Sequence, residues 1–138
     1  MENNLKFNSA ICTSRVQSER LLALGLKEET ADMYYYFYDK NTYEINPTWK
    51  TIWEDRNDYK KISPAWSLHR LWELTPKVIF TKPSLYLTMC EDSVVYCAED
   101  NYEEYEKSFS RQISLYDNII DCIKWLIKEG YFNKEYLV

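Results

Sequence analysis

The amino-acid sequence predicts an α+β domain in which a small three-stranded antiparallel sheet packs against helices. Three short apolar runs between residues 77 and 98 are separated by turn residues, which is typical of a β-meander. A stretch near the C-terminus repeats its apolar residues at helical spacing. The length is typical of one domain, and no stretch rich in Gly, Pro and Ser divides the chain. We therefore expect residues 1–138 to form a single α+β domain.

A first helix is predicted over residues 14 to 24. Ser14 followed three residues later by Gln17 matches a capping box, in which each side chain bonds the other residue's backbone N–H. Gly25 is expected just past the helix end, because glycine adopts the left-handed conformation found there without a steric penalty. The aromatic run from Tyr34 to Tyr38 favours extended structure.

The middle of the chain predicts strand fragments followed by a helix. Residues 39 to 62 fit neither a helical nor a strand period, and we interpret them as strand fragments joined by loops. Ser63 followed by Pro64 indicates a helix start, since proline is favoured at the first helical position. Pro76 prevents the helix from continuing. These residues predict a helix over about 64 to 74.

The faces of the predicted sheet depend on a turn over residues 91 to 93. Successive side chains of a strand point to opposite faces, so the length of the turn decides which residues of two neighbouring strands share a face. With three residues in the turn, one face is almost wholly apolar and is expected to be the core face. That face comprises Leu85, Leu87, Met89, Val95 and Cys97, and the other comprises Tyr86, Thr88, Cys90, Val94 and Tyr96.

The last helix has the clearest apolar pattern. Gly130 is expected to end it, with Tyr131 and Phe132 turning back onto the helix. Trp125 lies opposite the apolar arc, so we expect either another element or a partner to cover it. The residues that fall within about half of the helix circumference are Tyr116, Ile119, Ile120, Cys122, Ile123, Leu126 and Ile127.

The distribution of charge argues against direct nucleic-acid binding. The net charge is −5, and residues 91 to 106 hold seven acidic residues with no Lys or Arg, which leaves only +2 on the rest of the chain. Affinity for a phosphate backbone depends on Lys and Arg. Residues 34 to 66 are rich in aromatic rings but balanced in charge, which suits a core or a homo-oligomer interface better than base stacking.

The sequence favours a reducing compartment and predicts neither a cofactor nor a metal site. The first ten residues lack the apolar run of a secretory signal, and no stretch approaches the ~20 apolar residues of a membrane span. We therefore expect a cytoplasmic protein without membrane contact and with unpaired thiols. No Cys-x-x-Cys pair is present, so a zinc site would need ligands from distant parts of the chain. The four cysteines are Cys12, Cys90, Cys97 and Cys122.

No catalytic residue is predicted. His69 is the only histidine, and it is expected on the polar side of its helix with Glu73 one turn away. An exposed histidine beside a helical carboxylate explains this pattern better than a general base does. With only two glycines, the chain has no Gly-rich phosphate loop. An enzyme is therefore the third choice of function.

The candidate contact residues combine the acidic segment with aromatic and arginine side chains. Carboxylates interleaved with tyrosines can dock a basic partner, although a solvated acidic loop is the alternative explanation. Calcium binding is disfavoured, because the alternating oxygen ligands and turn glycine of a calcium loop are missing. Trp and Arg are the residue types most enriched where interfaces gain affinity. The candidate partner-binding residues are Glu99, Asp100, Tyr102, Glu103, Glu104, Trp66, Arg70 and Trp125.

A resemblance to a known group of proteins covers about half of the chain and is carried by several short stretches. They are residues 11–15 through 24–26, 30–33, 64–68 and 118–122. In these stretches the chain resembles small uncharacterised proteins carried by phages and mobile elements of gut Bacteroidales. The resemblance brings no activity, cofactor or binding residue. It implies only a setting, that of a mobile-element accessory protein acting inside a bacterial cell.

These observations predict a non-enzymatic interaction protein of a phage or mobile element. It would bind a host or element protein through its acidic, aromatic-rich surface. The alternative is a nucleic-acid-mimicking inhibitor of a host defence or DNA-processing enzyme. Such a mimic needs carboxylates spaced along an exposed surface, and it would compete with DNA for its target.

Overall fold

A computed structural model describes the backbone of residues 10–38, 45–49, 59–99 and 106–138. Within these residues, three α-helices flank a group of three strands and a group of four strands, and each group forms an antiparallel sheet. The predicted α+β class is therefore confirmed. The prediction of one three-stranded sheet is wrong, because a four-stranded sheet and a second, three-stranded sheet are present.

The three-stranded sheet lies in the first half of the chain. It consists of β1 (Met33–Tyr38), β2 (Ile45–Trp49) and β3 (Tyr59–Ala65), in the order β2-β1-β3. The aromatic run that predicted extended structure is thus the central strand of this sheet. Both neighbours of β1 run antiparallel to it.

The first helix, α1, spans Arg15–Ala23 and begins as predicted. The Ser14 hydroxyl accepts a hydrogen bond from the backbone N–H of Gln17, and the Gln17 side chain accepts one from the N–H of Ser14 at 2.8 Å. Gly25 has a φ of +101°, so the helix ends in the left-handed conformation that favours glycine.

The second helix, α2, spans Leu68–Leu74 and begins later than predicted. Its N-cap is Ser67, whereas Pro64 lies in β3 and pairs with the central strand. The prediction that the helix begins after Ser63 was wrong, because β3 continues past Ser63 to residue 65. Asp32 favours the later start, since its carboxylate accepts from both the backbone N–H of Ser67 at 2.9 Å and the hydroxyl at 2.5 Å.

The four-stranded sheet contains the predicted meander and one further strand. Its strands are β4 (Val78–Ile79), β5 (Leu85–Met89), β6 (Val94–Cys97) and β7 (Glu106–Phe109), in chain order. Each strand runs antiparallel to the next. The additional strand, β7, begins at the last residue of the acidic segment.

The turn between β5 and β6 is one residue shorter than predicted. Met89 pairs with Val94, and the backbone N–H of Cys90 donates to the carbonyl oxygen of Ser93 at 2.8 Å. Residues 91 and 92 alone therefore form the tip of the turn. A register shift of one residue moves every side chain of a strand to the opposite face.

Because the turn is one residue shorter, the residues of β6 that face the core are the ones that were predicted to face away from it. Val94 and Tyr96 are buried, whereas Val95 and Cys97 are only half-buried. The prediction that Val95 and Cys97 face the core was therefore wrong. On β5 the alternation is as predicted, since Leu87 is half-buried and Thr88 is exposed.

The predicted C-terminal helix is confirmed, and as α3 it spans Leu115–Glu129. Gly130 ends it with a φ of +79°, and the backbone N–H of Tyr131 donates back to a helix carbonyl at 2.8 Å. Phe132 is buried, as expected if the chain turns back onto the helix after Gly130. Ile127, which was expected on the apolar side of the helix, is only half-buried. The buried residues of the helix are Tyr116, Asn118, Ile119, Ile120, Cys122, Ile123 and Leu126.

The main core lies between α3 and the four-stranded sheet and extends to the other two helices. Its members include Leu21 of α1, Leu71 of α2, Ile79 of β4 and Tyr96 of β6. A smaller cluster beside the three-stranded sheet contains Cys12, Met33 and Ala65. Among the described residues, no helix is both long enough and apolar enough to cross a membrane.

A buried polar contact joins the segment before α1 to the segment between β3 and α2. The backbone N–H of Thr13 donates to the carbonyl oxygen of Trp66 at 2.9 Å, and the N–H of Trp66 donates to the Thr13 hydroxyl at 3.0 Å. The hydroxyl of Tyr35 donates to the carbonyl oxygen of Thr13 at 2.8 Å. These hydrogen bonds attach the three-stranded sheet to the helical part of the fold.

Candidate functional site

The acidic segment does not form one compact cluster in the part that the structure describes. Glu91 and Asp92 are exposed at the turn before β6, whereas Glu99 is exposed just after β6 and Glu106 is exposed at the start of β7. The four residues of β6, which rise by about 13 Å, lie between the two groups. Of the predicted contact residues, Asp100, Tyr102, Glu103 and Glu104 lie outside the described residues.

The acidic turn is held in place by a buried asparagine. The Nδ2 group of Asn118 donates to the carbonyl oxygen of Asp92 at 2.6 Å and to that of Gln112 at 3.1 Å. Its Oδ1 atom accepts from the backbone N–H of Gln112 at 2.9 Å. Sequence reasoning missed Asn118, although an uncharged polar residue inside the apolar arc of a helix is a recognisable signal. The position of the turn is thus fixed by the first turn of α3.

An open groove lies beside the acidic turn, between α2, the end of β5 and the start of α3. Its volume is about 620 Å³, within the range of roughly 300 to 1,000 Å³ that is usual for binding pockets. Leu68 and Trp72 are four residues apart on α2 and therefore face the same side. The lining residues are Leu68, His69, Trp72, Met89, Cys90, Glu91 and Leu115.

The charged groups on the α2 side of the groove are engaged by neighbours in the chain. His69 Nε2 lies 3.5 Å from a carboxylate oxygen of Glu73, and both side chains are exposed, as predicted. Lys77 Nζ lies 4.8 Å from the centre of the Trp72 ring and donates to the carbonyl oxygens of Trp72 and Thr75. Desolvation lowers the pKa of Lys77, against the opposing effect of Glu73.

Two of the predicted contact residues serve the interior of the fold instead. Trp66 is fully buried, and its Nε1–H donates to the hydroxyl of Thr30 at 3.0 Å. This burial removes Trp66 from the candidate surface. Arg70 is half-buried, and its guanidinium donates to the carbonyl oxygen of Thr30 at 2.9 Å and lies 3.5 Å from Glu73. Arg70 therefore attaches α2 to the turn before β1.

Trp125 is covered by other elements of the same chain. Its ring centre lies 6.1 Å from that of Tyr96, 5.8 Å from that of Phe109 and 5.7 Å from that of Tyr131. Lys107 Nζ lies 5.9 Å from the same ring. Strands β6 and β7 and the C-terminal segment therefore cover part of Trp125, which is half-buried.

The four thiols lie in contrasting environments. Cys90 is exposed in the groove and Cys97 is half-buried, whereas Cys12 and Cys122 are buried. Burial raises the pKa of Cys122 to about 12 and also raises the pKa of Cys12. In the described part of the chain, no group of three or more His, Cys, Asp or Glu side chains is placed to hold a metal ion.

Comparison with known proteins found no match to this chain. No protein family, no curated protein and no solved structure matches it. Inference about function therefore depends on the geometry and chemistry of the chain itself.

Proposed function

We propose that this chain is a non-enzymatic interaction protein whose acidic segment, residues 91 to 106, docks a basic surface of a partner protein. The proposal depends on one observation about the turn between β5 and β6. The hydrogen bond from Asn118 to the Asp92 carbonyl oxygen fixes this turn, so that Glu91 and Asp92 are exposed at one end of the four-stranded sheet. Carboxylates that are already positioned lose less conformational freedom on binding. They also attract a basic partner before contact is made.

The proposed setting follows from the resemblance to proteins of phages and mobile elements. In that setting the protein acts in the bacterial cytoplasm, and its partner is a protein of the host or of the element. The cytoplasm also suits four thiols that the structure leaves free. The other residues that we assign to the docking surface are Glu99, Asp100, Tyr102, Glu103 and Glu104.

Neutralising the acidic segment tests the proposal. In one variant, Glu99, Asp100, Glu103 and Glu104 are changed together to Gln or Asn, and a second variant adds the same changes at Glu91 and Asp92. The control changes four exposed carboxylates elsewhere, Glu19, Glu29, Glu129 and Glu135, to Gln. Each protein is used for affinity capture from host lysate, and mass spectrometry identifies the retained proteins.

The acidic variants are expected to lose the captured partner while the control keeps it, with melting temperatures nearly unchanged. With the purified partner, association should slow as salt rises from about 0.05 to about 0.5 M, because the screening length shortens from roughly 14 to 4 Å. Tyr102→Ala should accelerate dissociation, through lost contact area. If the neutralised proteins retrieve the same partner with the same salt dependence, the segment is only a solvated surface.

The alternative function, mimicry of a nucleic acid, requires a continuous series of negative charges. Duplex DNA carries one charge per ~1.7 Å of its axis. The described carboxylates of the segment instead fall into two groups at the ends of β6, which favours docking of a protein. Adding duplex DNA to the capture experiment separates the two functions, since only a mimic competes with DNA for its partner.

A further inference from the structure

We infer that the groove beside the acidic turn receives an apolar side chain from a partner segment that carries Lys or Arg next to it. This inference rests on the proposed function and names the feature of the partner that the acidic end of the sheet recognises.

The lining of the groove suits an apolar side chain. Leu68, Trp72, Met89 and Leu115 are half-buried, so each contributes apolar surface to the groove while another part of it is covered. Burying apolar surface against such a wall is favourable, and a volume of about 620 Å³ accommodates more than one large side chain. Methionine adapts its shape to different occupants, which suits Met89 as a residue of the lining.

The edge of the groove is negative. Glu91 belongs to the lining and is exposed, and Asp92 is exposed beside it. None of the described residues that line the groove is Lys or Arg. An approaching Lys or Arg therefore meets an uncompensated carboxylate, whereas an acidic segment meets a like charge.

The cations near the α2 wall do not reverse this charge. Lys77 and Arg70 keep their positive charge, but neither lines the groove, and both donate to backbone carbonyl oxygens, Lys77 to those of Trp72 and Thr75 and Arg70 to that of Thr30. His69 lines the groove, but the carboxylate of Glu73 lies 3.5 Å from it and offsets its charge when it is protonated. The complementary occupant is thus both apolar and basic.

Three matched synthetic peptides provide the probe. They are acetylated and amidated Lys-Leu-Trp-Lys, Glu-Leu-Trp-Glu and Lys-Ser-Ser-Lys, which vary the charge and the apolar part separately. Binding to the full chain labelled with ¹³C at its methionine methyl groups is followed by NMR. Met89 lines the groove, and Met33, which is buried in the separate small cluster, is the internal control.

Lys-Leu-Trp-Lys should shift the Met89 methyl signal saturably and leave the Met33 signal in place. Its affinity should exceed that of each other peptide by about tenfold at low salt, and the margin over the acidic peptide should shrink at high salt. Equal affinities for the basic and acidic peptides would overturn the inference. So would the absence of a saturable Met89 shift up to millimolar peptide.

Two pairs of variants test whether the peptide binds in the groove. Glu91→Lys changes an exposed turn residue and should abolish the preference for the basic peptide, whereas Glu129→Lys, at the opposite end of α3 from the groove, should not. Trp72→Ser should weaken all binding at Met89 by about tenfold, and Phe80→Ser, whose side chain is 88% exposed outside the groove lining, should not. Equal effects of the members of either pair would overturn the inference.

Failure of this inference can be told apart from failure of the proposed function. If capture of the partner depends on residues 99 to 104 but not on Glu91 or Trp72, the acidic segment docks a partner and the groove does not take part. If the peptides behave as expected but the neutralised chain still captures its partner, the groove has the stated chemistry and the proposed function of the acidic segment is wrong.

Discussion

The side-chain amide of Asn118 donates to the carbonyl oxygen of Asp92 at 2.6 Å and so joins the first turn of α3 to the acidic turn between β5 and β6. Asn118 is fully buried on a helix face that is otherwise largely apolar. A buried amide in such a place is tolerated only when its donors and acceptor are satisfied. The backbone of Gln112 and Asp92 satisfies them, and the same bonds position Glu91.

The first prediction concerns the stability that Asn118 provides. Asn118→Ala should lower the free energy of unfolding by about 2 to 4 kcal/mol, because it leaves partly buried backbone groups of Asp92 and Gln112 without the partner that they have in the fold. Urea unfolding followed by tryptophan fluorescence measures the loss. Asn133→Ala removes only an exposed cap of the last 3₁₀ turn and should cost about 1 kcal/mol or less. Equal losses would mean that Asn118 does not stabilise the turn.

A second prediction tests the register of β6. Val94→Ala should lower the free energy of unfolding by about 2 kcal/mol, since it removes buried methyl groups and leaves a cavity. Val95→Ala makes the same chemical change at a half-buried neighbour and should cost below about 1 kcal/mol. The three-residue turn expected from the sequence predicts the reverse order. Urea melts of the two variants therefore decide between the registers.

The turn before β6 shows why the sequence predicted the strands but not their register. Residues 90 to 93 read Cys-Glu-Asp-Ser and contain no glycine or asparagine that would specify a two-residue turn. A two-residue and a three-residue turn therefore remained equally compatible with the sequence. Helix ends were predicted more successfully, because Ser14, Gln17, Gly25 and Gly130 act on their immediate neighbours.

The later start of α2 illustrates a competition that local sequence does not resolve. Both Ser63 and Ser67 are able to cap a helix. The carboxylate of Asp32 and pairing with β1 favour the second, and both are contacts between residues that are distant in the chain. Because α2 begins only at Leu68, Trp66 lies before the helix, and its side chain is buried in the core.

The groove could not be predicted for a related reason. Its lining comes from α2, from the end of β5 and from the start of α3, and no periodic pattern connects these segments. Leu68 and Leu115 have the spacing of ordinary core residues in their own helices. Only the tertiary arrangement leaves them half-buried beside Glu91.

The third prediction concerns the reactivity of the thiols in the native protein. Cys90 is exposed and should react with iodoacetamide first, and the half-buried Cys97 should follow. Cys12 and Cys122 should react only after unfolding, because burial blocks access and raises the pKa of both, which lowers the fraction of reactive thiolate. Peptide mass spectrometry at timed intervals gives the order.

The same samples test whether the thiols are unpaired and free of metal. Mass spectrometry under native and under denaturing, non-reducing conditions should give the mass of the reduced chain. An intramolecular loss of two hydrogens or a bound zinc ion would contradict the prediction. Labelling of Cys122 as fast as Cys90 would contradict the burial that the structure gives it.

The last prediction is a loss of stability at alkaline pH. The folded protein holds the pKa of Cys122 at about 12, whereas an unfolded chain has a cysteine pKa near 8.5. The folded state therefore binds the thiol proton more tightly. Stability from this group is complete below pH ~8.5 and is lost as the pH rises toward 12. Cys12 contributes with the same sign, since burial raises its pKa as well.

The free energy of unfolding, measured by urea melts, should therefore fall between about pH 8 and 9.5, below the main titration range of tyrosine and lysine. Cys122→Ala removes one of the responsible groups, so its stability should fall less steeply over this range, even though its stability at neutral pH is lower. Cys90→Ala is the matched control, because it removes an exposed thiol, and it should keep the slope of the unaltered protein. Identical slopes for the two variants would mean that the Cys122 thiol is ionised as easily in the folded chain as in the unfolded one, contrary to its burial in the main core.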